Sequence, residues 1–291
     1  MNEVKDDLKR EKVRIVEISK IQDFPDHPFL VKEDESMDQL VDSIRMNGVL
    51  NPVIARRVAD EHYELISGHR RKRACILLGI DRMPLIGRDM TREEAVIEMV
   101  DSNLQREHIL PSEKARAYKM KMDAMKRQGK RTDLTSSPLG TKLRTDEIIA
   151  QESGESRNQI QRYIRLNELT PELLEFVDEG KIGMRPAVEL SYLREDEMRD
   201  LVDFIDDEGI FPSHAQAIKM KTMSKDGGLD INVIRDIMLE EKPNQKPRIK
   251  IAVEKIEKYF PSGTTQQQME DIIIRALAMY RQRQKEDRDA R

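Results

Sequence analysis

Five polar or basic side chains lie within nine residues near the middle of the chain, and their types suit contacts with nucleic acid. They are Arg157, Asn158, Gln161, Arg162 and Arg165. Arginine, asparagine and glutamine hydrogen-bond base edges in the DNA major groove, and arginine also binds phosphates. Because Ile160 and Ile164 are spaced to share one face of a helix, we expect these five side chains to face outward. An ordinary helix with a solvated basic face fits the same pattern.

Two short helices are needed to position these side chains, and residues 145–166 predict a helix-turn-helix. Gly154 tolerates the left-handed backbone that a tight turn between helices requires. Thr145 is predicted to cap the first helix. Ser156 and Gln159 have the spacing of a capping box at the start of the second helix.

A second stretch carries residues that suit phosphate binding. Gly68 precedes the basic run 69–73 and then the apolar residues of a predicted helix. A glycine lets the backbone approach a phosphate closely, and the first turn of a helix offers free N–H groups. Arg70 and Arg71 would add positive charge. The alternative is that this basic run forms a solvated helix face without a ligand.

The composition favours several small domains. Of the 291 residues, 36% are charged and only 4% are aromatic. A chain of this length is too long for one compact domain. The net charge is −4, yet residues 111–170 hold 13 Lys+Arg against 8 Asp+Glu. Because a local basic face determines attraction to DNA, the overall acidity does not exclude a nucleic-acid partner.

The location expected from the sequence is the cytoplasm. The one cysteine, Cys75, allows no internal disulfide, which fits a reducing compartment. The charged start of the chain lacks the apolar segment of a signal peptide, and no apolar run approaches membrane-spanning length. The histidines lack metal-site spacing, so we assign no metal ligand. They are His27, His62, His69, His108 and His214.

The periodicity of apolar residues predicts an α+β protein. A flexible charged tail over 1–14 precedes a small mixed α/β domain over 15–110. Residues 111–241 are expected to form an all-helical domain that contains the helix-turn-helix, followed by a linker at 242–247. Strands are expected at 13–19, 51–55, 62–66 and 82–88. Helices are expected at 36–47, from 68 to 79, from Thr91 onward with a Thr91–Glu94 capping box, and at 112–128.

Residues 248–291 are expected to form a β-α dimerisation module. Residues 248–254 alternate like a strand, and a long helix follows from about 266 to 285. One stripe of that helix is apolar and contains Met269, Ile272, Ile273, Ala276, Leu277 and Tyr280. A segment this short buries too little surface to fold alone, so we expect a second copy of the chain to cover the stripe.

Two motifs and the order of the elements resemble the ParB/RepB family of partition proteins. Gly68-His-Arg-Arg-Lys-Arg-Ala74 is similar to the family's G-E-R-R-x-R-A, and Asp101-Ser-Asn-Leu-Gln-Arg-Glu107 is similar to its E-N-L-Q-R. In the family, as here, a helix-turn-helix and a C-terminal dimerisation domain follow. The similarity extends from about residue 13 to 193, whereas the C-terminal part matches only in position and kind.

The resemblance implies a site-specific DNA-binding protein that acts as a homodimer on a palindromic, centromere-like site. It implies an N-terminal domain that binds CTP, with Mg²⁺, and closes as a clamp around DNA. It assigns nucleotide binding to Gly68, His69, Arg70, Arg71, Ser102, Asn103 and Arg106. Asn103 and Arg106 would contact the nucleotide or brace the loop. A ParA-like ATPase would be the partner, docked by the tail, and the protein would associate with the nucleoid.

Three positions depart from the family pattern, and the family residues at these places handle metal or water. His69 replaces a glutamate, and His27-Pro28-Phe29 replaces Q-P-R. Ser102 replaces an acidic residue, although Asp101 is next to it. Imidazole and hydroxyl groups are not the anionic oxygen ligands that Mg²⁺ prefers, so we expect binding to exceed hydrolysis, which would be slow or absent. We also expect His69 to gain a proton beside phosphates as the pH falls.

Other functions fit parts of the same sequence. A regulator of transcription or plasmid replication can use this architecture without segregating DNA. Small-molecule kinases of this fold carry G-H-x-R, which residues 68–71 match, although the appended helix-turn-helix and dimerisation module argue against a kinase. Sulfiredoxins share the N-terminal fold, but their catalytic cysteine directly precedes His-Arg. This chain has Gly68 there, which excludes that chemistry.

Overall fold

The computed structural model describes residues 12–106, 108–132, 144–240, 256, 259–261 and 264–289. The chain divides into two compact units, Met1–Leu239 and Glu240–Arg291. The first unit holds both the sheet and the helix-turn-helix. The predicted linker at 242–247 and the predicted strand at 248–254 lie outside the described residues. No helix within the described ranges is both long enough and apolar enough to cross a membrane.

A mixed sheet organises the N-terminal part of the first unit. Its described strands are β1 (Val13–Glu17), β2 (Ile21–Asp23), β3 (Val53–Ala59), β4 (His62–Ser67) and β5 (Arg82–Arg88). They lie in the order β1-β5-β3-β4-β2. The pairs β1/β5 and β3/β4 are antiparallel, and the pairs β3/β5 and β2/β4 are parallel. The mixed α/β fold expected from the sequence is confirmed.

Helices cover both faces of this sheet. They are α1 (Glu35–Asn47), α2 (His69–Leu77), α3 (Arg92–Leu104) and α4 (Pro111–Thr132). Leu65 is fully buried on one face, in a cluster with Met37 of α1 and Cys75 of α2. The next residue, Ile66, is fully buried on the other face, in a cluster with Met99 of α3. This alternation is the period of two that a strand buried on both faces shows.

The remaining helices of the first unit follow α4. They are α5 (Thr145–Ser153), α6 (Arg157–Arg165), α7 (Pro171–Asp178), α8 (Met184–Leu190), α9 (Glu195–Glu208), α10 (His214–Lys225) and α11 (Ile231–Leu239), with a 3-10 turn at Leu166–Glu168. α4 packs on both parts of the unit. Its Ala117 belongs to the cluster on the sheet, whereas the adjacent Tyr118 packs with Ile149 of α5 and Ile160 of α6.

A buried lysine also joins these two parts. Lys121 on α4 is 1% exposed and donates to Asp101 of α3 and to Glu152 of α5, the latter at 2.6 Å. A buried ammonium group is costly unless it is paired, and here two carboxylates compensate its charge. Since α3 packs on the sheet and α5 begins the helix-turn-helix, Lys121 holds the two parts in one arrangement.

Several boundaries differ from the sequence predictions. β1 ends at Glu17 because Ile18–Lys20 form a 3-10 turn, and the short β2 after that turn is not predicted. The prediction that Thr145 caps α5 is wrong, because Arg144 holds the extended cap position and Thr145 is the first helical residue. The predicted capping box of α3 is confirmed: Glu94 N–H donates to Thr91 Oγ1 at 3.2 Å, and Thr91 N–H donates to Glu94 Oε2 at 2.8 Å.

The second unit contains a long helix, α12 (Gln266–Asp289). Two residues of its predicted apolar stripe, Ile272 and Leu277, are 44% and 61% exposed. Side chains of this kind on one helix favour association with another apolar surface.

Candidate nucleic-acid and nucleotide sites

The turn between α5 and α6 has the geometry that the sequence predicts. Gly154 ends α5 with a φ of 70°, in the left-handed region. Ser156 caps α6, and its hydroxyl accepts the Gln159 backbone N–H at 3.2 Å. Between these two described residues the return contact from the Gln159 side chain is not formed, so the predicted capping box is present only in part. Ile160 is fully buried between α4 and α5, and Ile164 packs at the edge of the same cluster. The opposite face of α6 is therefore turned to solvent.

Most of the predicted DNA-contacting side chains are exposed on this face of α6. They are Arg157, Asn158, Gln161 and Arg162. Asn158 and Arg162 have no polar side-chain partner among the described residues. Their hydrogen-bonding groups are therefore available to a ligand such as a base edge or a phosphate.

A buried carboxylate holds the other two exposed side chains. Asp146, in the first turn of α5, accepts hydrogen bonds from Arg157 Nε at 2.7 Å and from Gln161 Nε2 at 2.9 Å. Burial acts to raise the pKa of Asp146, but these hydrogen bonds and the charges of Arg157 and Arg144 outweigh burial, so that the pKa lies below its usual value. Asp146 is therefore ionised at neutral pH and bound to both side chains.

Arg165 does not face solvent freely, which corrects the sequence prediction of its orientation. Its Nε donates to Ser191 Oγ at 3.0 Å, and its Nη2 donates to the Ser191 carbonyl oxygen at 2.7 Å. Its guanidinium carbon lies 4.1 Å from the centroid of the Tyr192 ring. The reason is tertiary packing: Ser191 and Tyr192 follow α8 and approach the last residue of α6. Arg165 fastens α6 to this segment, and a contact with DNA stays a prediction for it.

A cleft of about 910 Å³ with several charged side chains lies beside the start of α2. Its lining comes from the segment before α1, the first turns of α1 and α2, the segment after α3 and the first turn of α4. The residues are Leu30, Lys32, Asp34, Ser36, Arg70, Gln105, Arg106, His108, Ile109, Leu110 and Glu113. Three of its side chains are cationic, namely Lys32, Arg70 and Arg106. Such a concentration of cationic groups suits a polyanionic ligand.

Two carboxylates also line the cleft. Asp34 Oδ1 accepts the Met37 backbone N–H at 3.0 Å and a hydrogen bond from Arg70 at 3.3 Å. Glu113 is buried, and its two oxygens accept the backbone N–H groups of Leu30 at 2.7 Å and Leu110 at 3.0 Å. Glu113 thus joins the two walls of the cleft through the backbone.

The remaining predicted nucleotide-binding residues divide between the start of α2 and the end of α3. Gly68 has a φ of 108°. Ser102 is exposed, and its hydroxyl donates to the Met99 carbonyl oxygen at 3.0 Å. Asn103 is buried, and its Nδ2 donates to the same oxygen at 2.7 Å. Arg71 Nη1 donates to the carbonyl oxygens of residues 51 and 52 at 2.6 and 2.7 Å.

These contacts place Arg70 and Arg106 in one cleft and the other residues around it. Ser102 lines a separate groove of about 580 Å³ between α3 and α4. Asp101 lines that groove too and is engaged by the buried Lys121. Arg71 braces the segment that leads into β3. The nucleotide-binding roles of all seven predicted residues stay predictions.

His69 is buried against another histidine rather than exposed to solvent. The rings of His27 and His69 lie 3.7 Å apart between centroids, and Nε2 of each ring is buried without a partner among the described residues. Burial, together with the neighbouring His27, lowers the pKa of His69 to about 3. The prediction that His69 gains a proton as the pH falls is wrong for this arrangement, because the imidazole is neutral throughout the physiological range.

Sequence reasoning missed several residues of these sites. Glu113 lies three positions after Leu110 and accepts its backbone N–H. A glutamate at this distance from a helix start is typical of a capping box, so the sequence contains a signal for this contact. Asp146 lies in the first turn of a predicted helix, but nothing in the sequence links it to Arg157. Lys32 and His108 have no sequence signal, because their place in the cleft depends on how two loops approach each other.

Comparison with protein families gives two matches. Residues 2–104 match a family model described as ParB N-terminal domain, and residues 140–218 match one described as ParB HTH domain. Together they cover more than half of the chain. The first includes α2, and the second includes α5 and α6.

Two curated relatives illustrate the similarity. The chain is 31% identical over 203 residues to the chromosome-partitioning protein Spo0J of Thermus thermophilus, and this alignment covers 69% of the chain and 68% of that protein. It is 31% identical over 197 residues to a nucleoid occlusion protein of Listeria innocua, with coverage of 67% and 63%. The alignments thus span about two thirds of each relative's length.

Among solved structures, the chain is similar to the C-terminally truncated chromosome-partitioning protein ParB from Caulobacter crescentus. The form complexed to the centromeric parS site has a TM-score of 0.42 and 23% identity, and the match covers 73% of this chain and 99% of that one. The form complexed with CTP-gamma-S has a TM-score of 0.31 and 26% identity, with coverage of 67% and 99%. Both TM-scores are low for a whole-chain superposition.

Proposed function

The chain belongs to the ParB family, and we propose that it is a site-specific DNA-binding partition protein that binds a palindromic, centromere-like site as a homodimer. The observation that carries the proposal is the solvent-exposed face of α6, where Asn158 and Arg162 have no polar partner among the described residues. α6 is the second helix of the helix-turn-helix, which is the helix that enters the major groove in such motifs. It also lies within the region similar to the ParB HTH domain.

The rest of the proposal follows from the need for two copies of α6. A palindromic site presents two equivalent half-sites, and a symmetric dimer places one recognition helix on each. The exposed apolar residues of α12 support the C-terminal unit as the part that joins the two copies. Binding to DNA would place the protein on the nucleoid. Family membership supports a ParA-like ATPase as partner, and the tail at 1–14 is the docking segment that we propose for it.

Arg162→Ala tests the DNA-binding face directly. If Arg162 pairs with guanine, the variant should lose about 1–3 kcal/mol of binding free energy and relax the preference at one base pair. If it contacts a phosphate, affinity should fall evenly for all sequences, and the slope of log K against log salt should decrease by about one. Fluorescence anisotropy with the DNA recovered by crosslinking in cells, measured over a range of salt, separates the two cases.

Arg199→Ala on α9 is the matched control, because it removes the same charge from an exposed position of the same unit. It should leave both affinity and salt dependence unchanged. An Arg162→Ala variant that behaves like this control would contradict the assignment of α6 as the recognition helix.

A DNA-bound regulator that segregates nothing is the second candidate function. The identity of 31% to a protein named for nucleoid occlusion favours it. Mapping of crosslinked DNA discriminates the two: one cluster of sites on a replicon favours partition, and many dispersed sites favour regulation. The match to the ParB HTH domain supports either of these over a small-molecule kinase.

We further propose that the cleft beside α2 binds a nucleoside triphosphate, and family membership favours CTP. The cationic groups of Lys32, Arg70 and Arg106 support this, since a triphosphate needs fixed positive charge. Mg²⁺ that arrives with a nucleotide needs only one or two protein carboxylates. Asp34 could supply one, because the hydrogen bonds that its carboxylate accepts from the described residues all end on Oδ1. Mg²⁺ would then screen the phosphates, while Arg70 and Arg106 hold them.

Arg70→Ala should weaken triphosphate binding about tenfold or more, because it removes a charge-assisted contact at the cleft. Calorimetric titration with CTP, ATP and GTP, with and without Mg²⁺, measures this. Arg73→Ala is the control, because Arg73 lies on the same helix but pairs with Glu33 outside the cleft. His69 should add no pH dependence to nucleotide binding between pH 6 and pH 8, because its pKa of about 3 leaves the imidazole neutral at both values.

The absence of binding heat with all three nucleotides would contradict the proposal. Equal affinities for Arg70→Ala and the unaltered chain would place the nucleotide elsewhere. Rapid hydrolysis of CTP would contradict the expectation that binding exceeds turnover, and would direct attention to Asp34 as a metal ligand.

A further inference from the structure

We propose that Asp146 is a positioning residue for DNA recognition, which fixes the donors and acceptors that Arg157 and Gln161 present to base edges. The inference rests on the proposed DNA-binding function of α6. One carboxylate oxygen, Oδ2, accepts both hydrogen bonds, from Arg157 Nε at 2.7 Å and from Gln161 Nε2 at 2.9 Å. Because the two donors are four positions apart on α6, one group on α5 holds neighbouring side chains of the exposed face.

The contact with Asp146 leaves the outer end of Arg157 available. Nε is engaged, whereas Nη1 lies 3.7 Å from the Glu147 carboxylate, and the side chain is 42% exposed. The two acceptors of guanine can take a pair of donors from an arginine. The Nη groups can supply these donors without breaking the bond to Asp146. A side chain held in this way has less rotamer freedom to lose when it binds.

The same carboxylate determines which way the Gln161 amide points. An ionised carboxylate only accepts hydrogen bonds, so the amide nitrogen of Gln161 must face Asp146 and the amide oxygen must face away. In the absence of Asp146, the amide could rotate by half a turn and exchange its donor with its acceptor. A fixed amide with its oxygen and one remaining N–H outward matches the edge of adenine. Asp146 thus affects which base is complementary.

Electrostatics distinguishes this role from simple bracing of the fold. Asp146 is 5% exposed and puts a negative charge between two helices that would face DNA. Arg157 and Arg144 compensate this charge, the latter with its Nε 3.4 Å from Asp146 Oδ1. Removal of that charge cannot weaken the general attraction of this surface for phosphates. A positioning role therefore predicts a loss of sequence preference without a loss of affinity for random DNA. A bracing role predicts equal losses for both.

The test uses the full chain and a randomised double-stranded oligonucleotide library. The unaltered chain should enrich one sequence, and Asp146→Ala, which removes the acceptor, should reduce its preference for that sequence over random DNA about tenfold, within the range of one base contact. The slope of log K against log salt on random DNA should not change. Glu172→Gln, which removes one exposed charge from α7, is the control and should keep the full preference.

Two results would overturn the inference. One is enrichment of the same sequence by Asp146→Ala with the same preference. The other is an equal loss on the preferred and on random DNA together with a lower melting temperature. If Asp146→Ala does not fold, Asp146→Glu provides the comparison, because it keeps the charge but displaces the acceptor. Asp146→Glu should lower the preference to a smaller extent, and an unreduced preference would again overturn the inference. Failure of the unaltered chain to enrich any sequence would overturn the proposed function itself.

Discussion

A chain that ends at Lys242 is expected to be monomeric in solution and to bind a palindromic DNA site about a hundredfold more weakly than the full chain. The reason for the weaker binding is that joining two binding modules raises avidity by roughly 10²- to 10⁴-fold. The first unit, Met1–Leu239, has its own buried clusters and should fold without the second. The exposed Ile272 and Leu277 of α12 are the apolar surface that the truncation removes. Sedimentation and titration of a palindromic duplex measure the two effects.

A full-length variant separates loss of the dimer from loss of residues. Ile272→Asp combined with Leu277→Asp places two charges on the predicted apolar stripe, where a buried charge without a partner is unfavourable. This variant should also be monomeric and should bind the palindrome as weakly as the truncated chain does. Both should bind a single half-site as well as the unaltered chain, since one copy of α6 is sufficient there. A truncated chain that sediments as a dimer would place the interface elsewhere.

Features that depend on a few neighbouring residues could be predicted from the sequence. The capping box of Thr91 and Glu94 and the cap at Ser156 satisfy backbone groups within one turn of a helix. The turn at Gly154 needs only the left-handed backbone of that one residue. The burial of Ile160 follows from helical periodicity alone. For this reason the exposed face of α6 could be deduced before the fold was known.

Features that depend on packing between distant elements could not be predicted. Arg165 and Asp146 show this most clearly. The pattern of α6 places Arg165 on the polar face, but the segment after α8 covers it and supplies Ser191 as its partner. Asp146 is eleven positions before Arg157, and only the angle between α5 and α6 brings the carboxylate to the guanidinium. Tertiary contacts therefore determine which polar side chains of α6 are free.

The environment of His69 is a further case in which packing overrides the sequence. Its place beside a basic run suggests an exposed imidazole near phosphates. In the fold it is 9% exposed and stacks on His27, which lies more than forty positions earlier in the chain. Burial disfavours the charged form of an imidazole, and the second ring adds to this effect. The composition of the motif alone therefore gives the wrong protonation state.

Gly68→Ala is expected to cause the largest loss of stability of any single substitution proposed for this chain. At a φ of 108° a side chain is strained, and an added Cβ would lie 2.5 Å from Val53 Cγ1 and 3.1 Å from Arg71 Nη2. Left-handed backbone costs roughly 1–2 kcal/mol for a residue other than glycine, and overpacking a core costs roughly 1–3 kcal/mol more. Since each kcal/mol shifts the melting temperature by about 2–4 °C in a unit of this size, a decrease of about 10 °C is expected by thermal denaturation.

Gly79→Ala and Val53→Ala separate the two causes of this loss. Gly79 also has a positive φ, of 67°, but an added Cβ there would meet nothing within 4 Å, so that only the backbone strain applies and the loss should be about half as large or less. In the background of Val53→Ala, Gly68→Ala should cost less than it does alone, because the nearest clashing methyl group is absent. Equal losses at the two glycines, with no rescue by Val53→Ala, would show that backbone conformation alone requires a glycine at the start of α2. A rescue would show that the glycine allows α2 to approach β3, and this approach places Arg70 in the cleft.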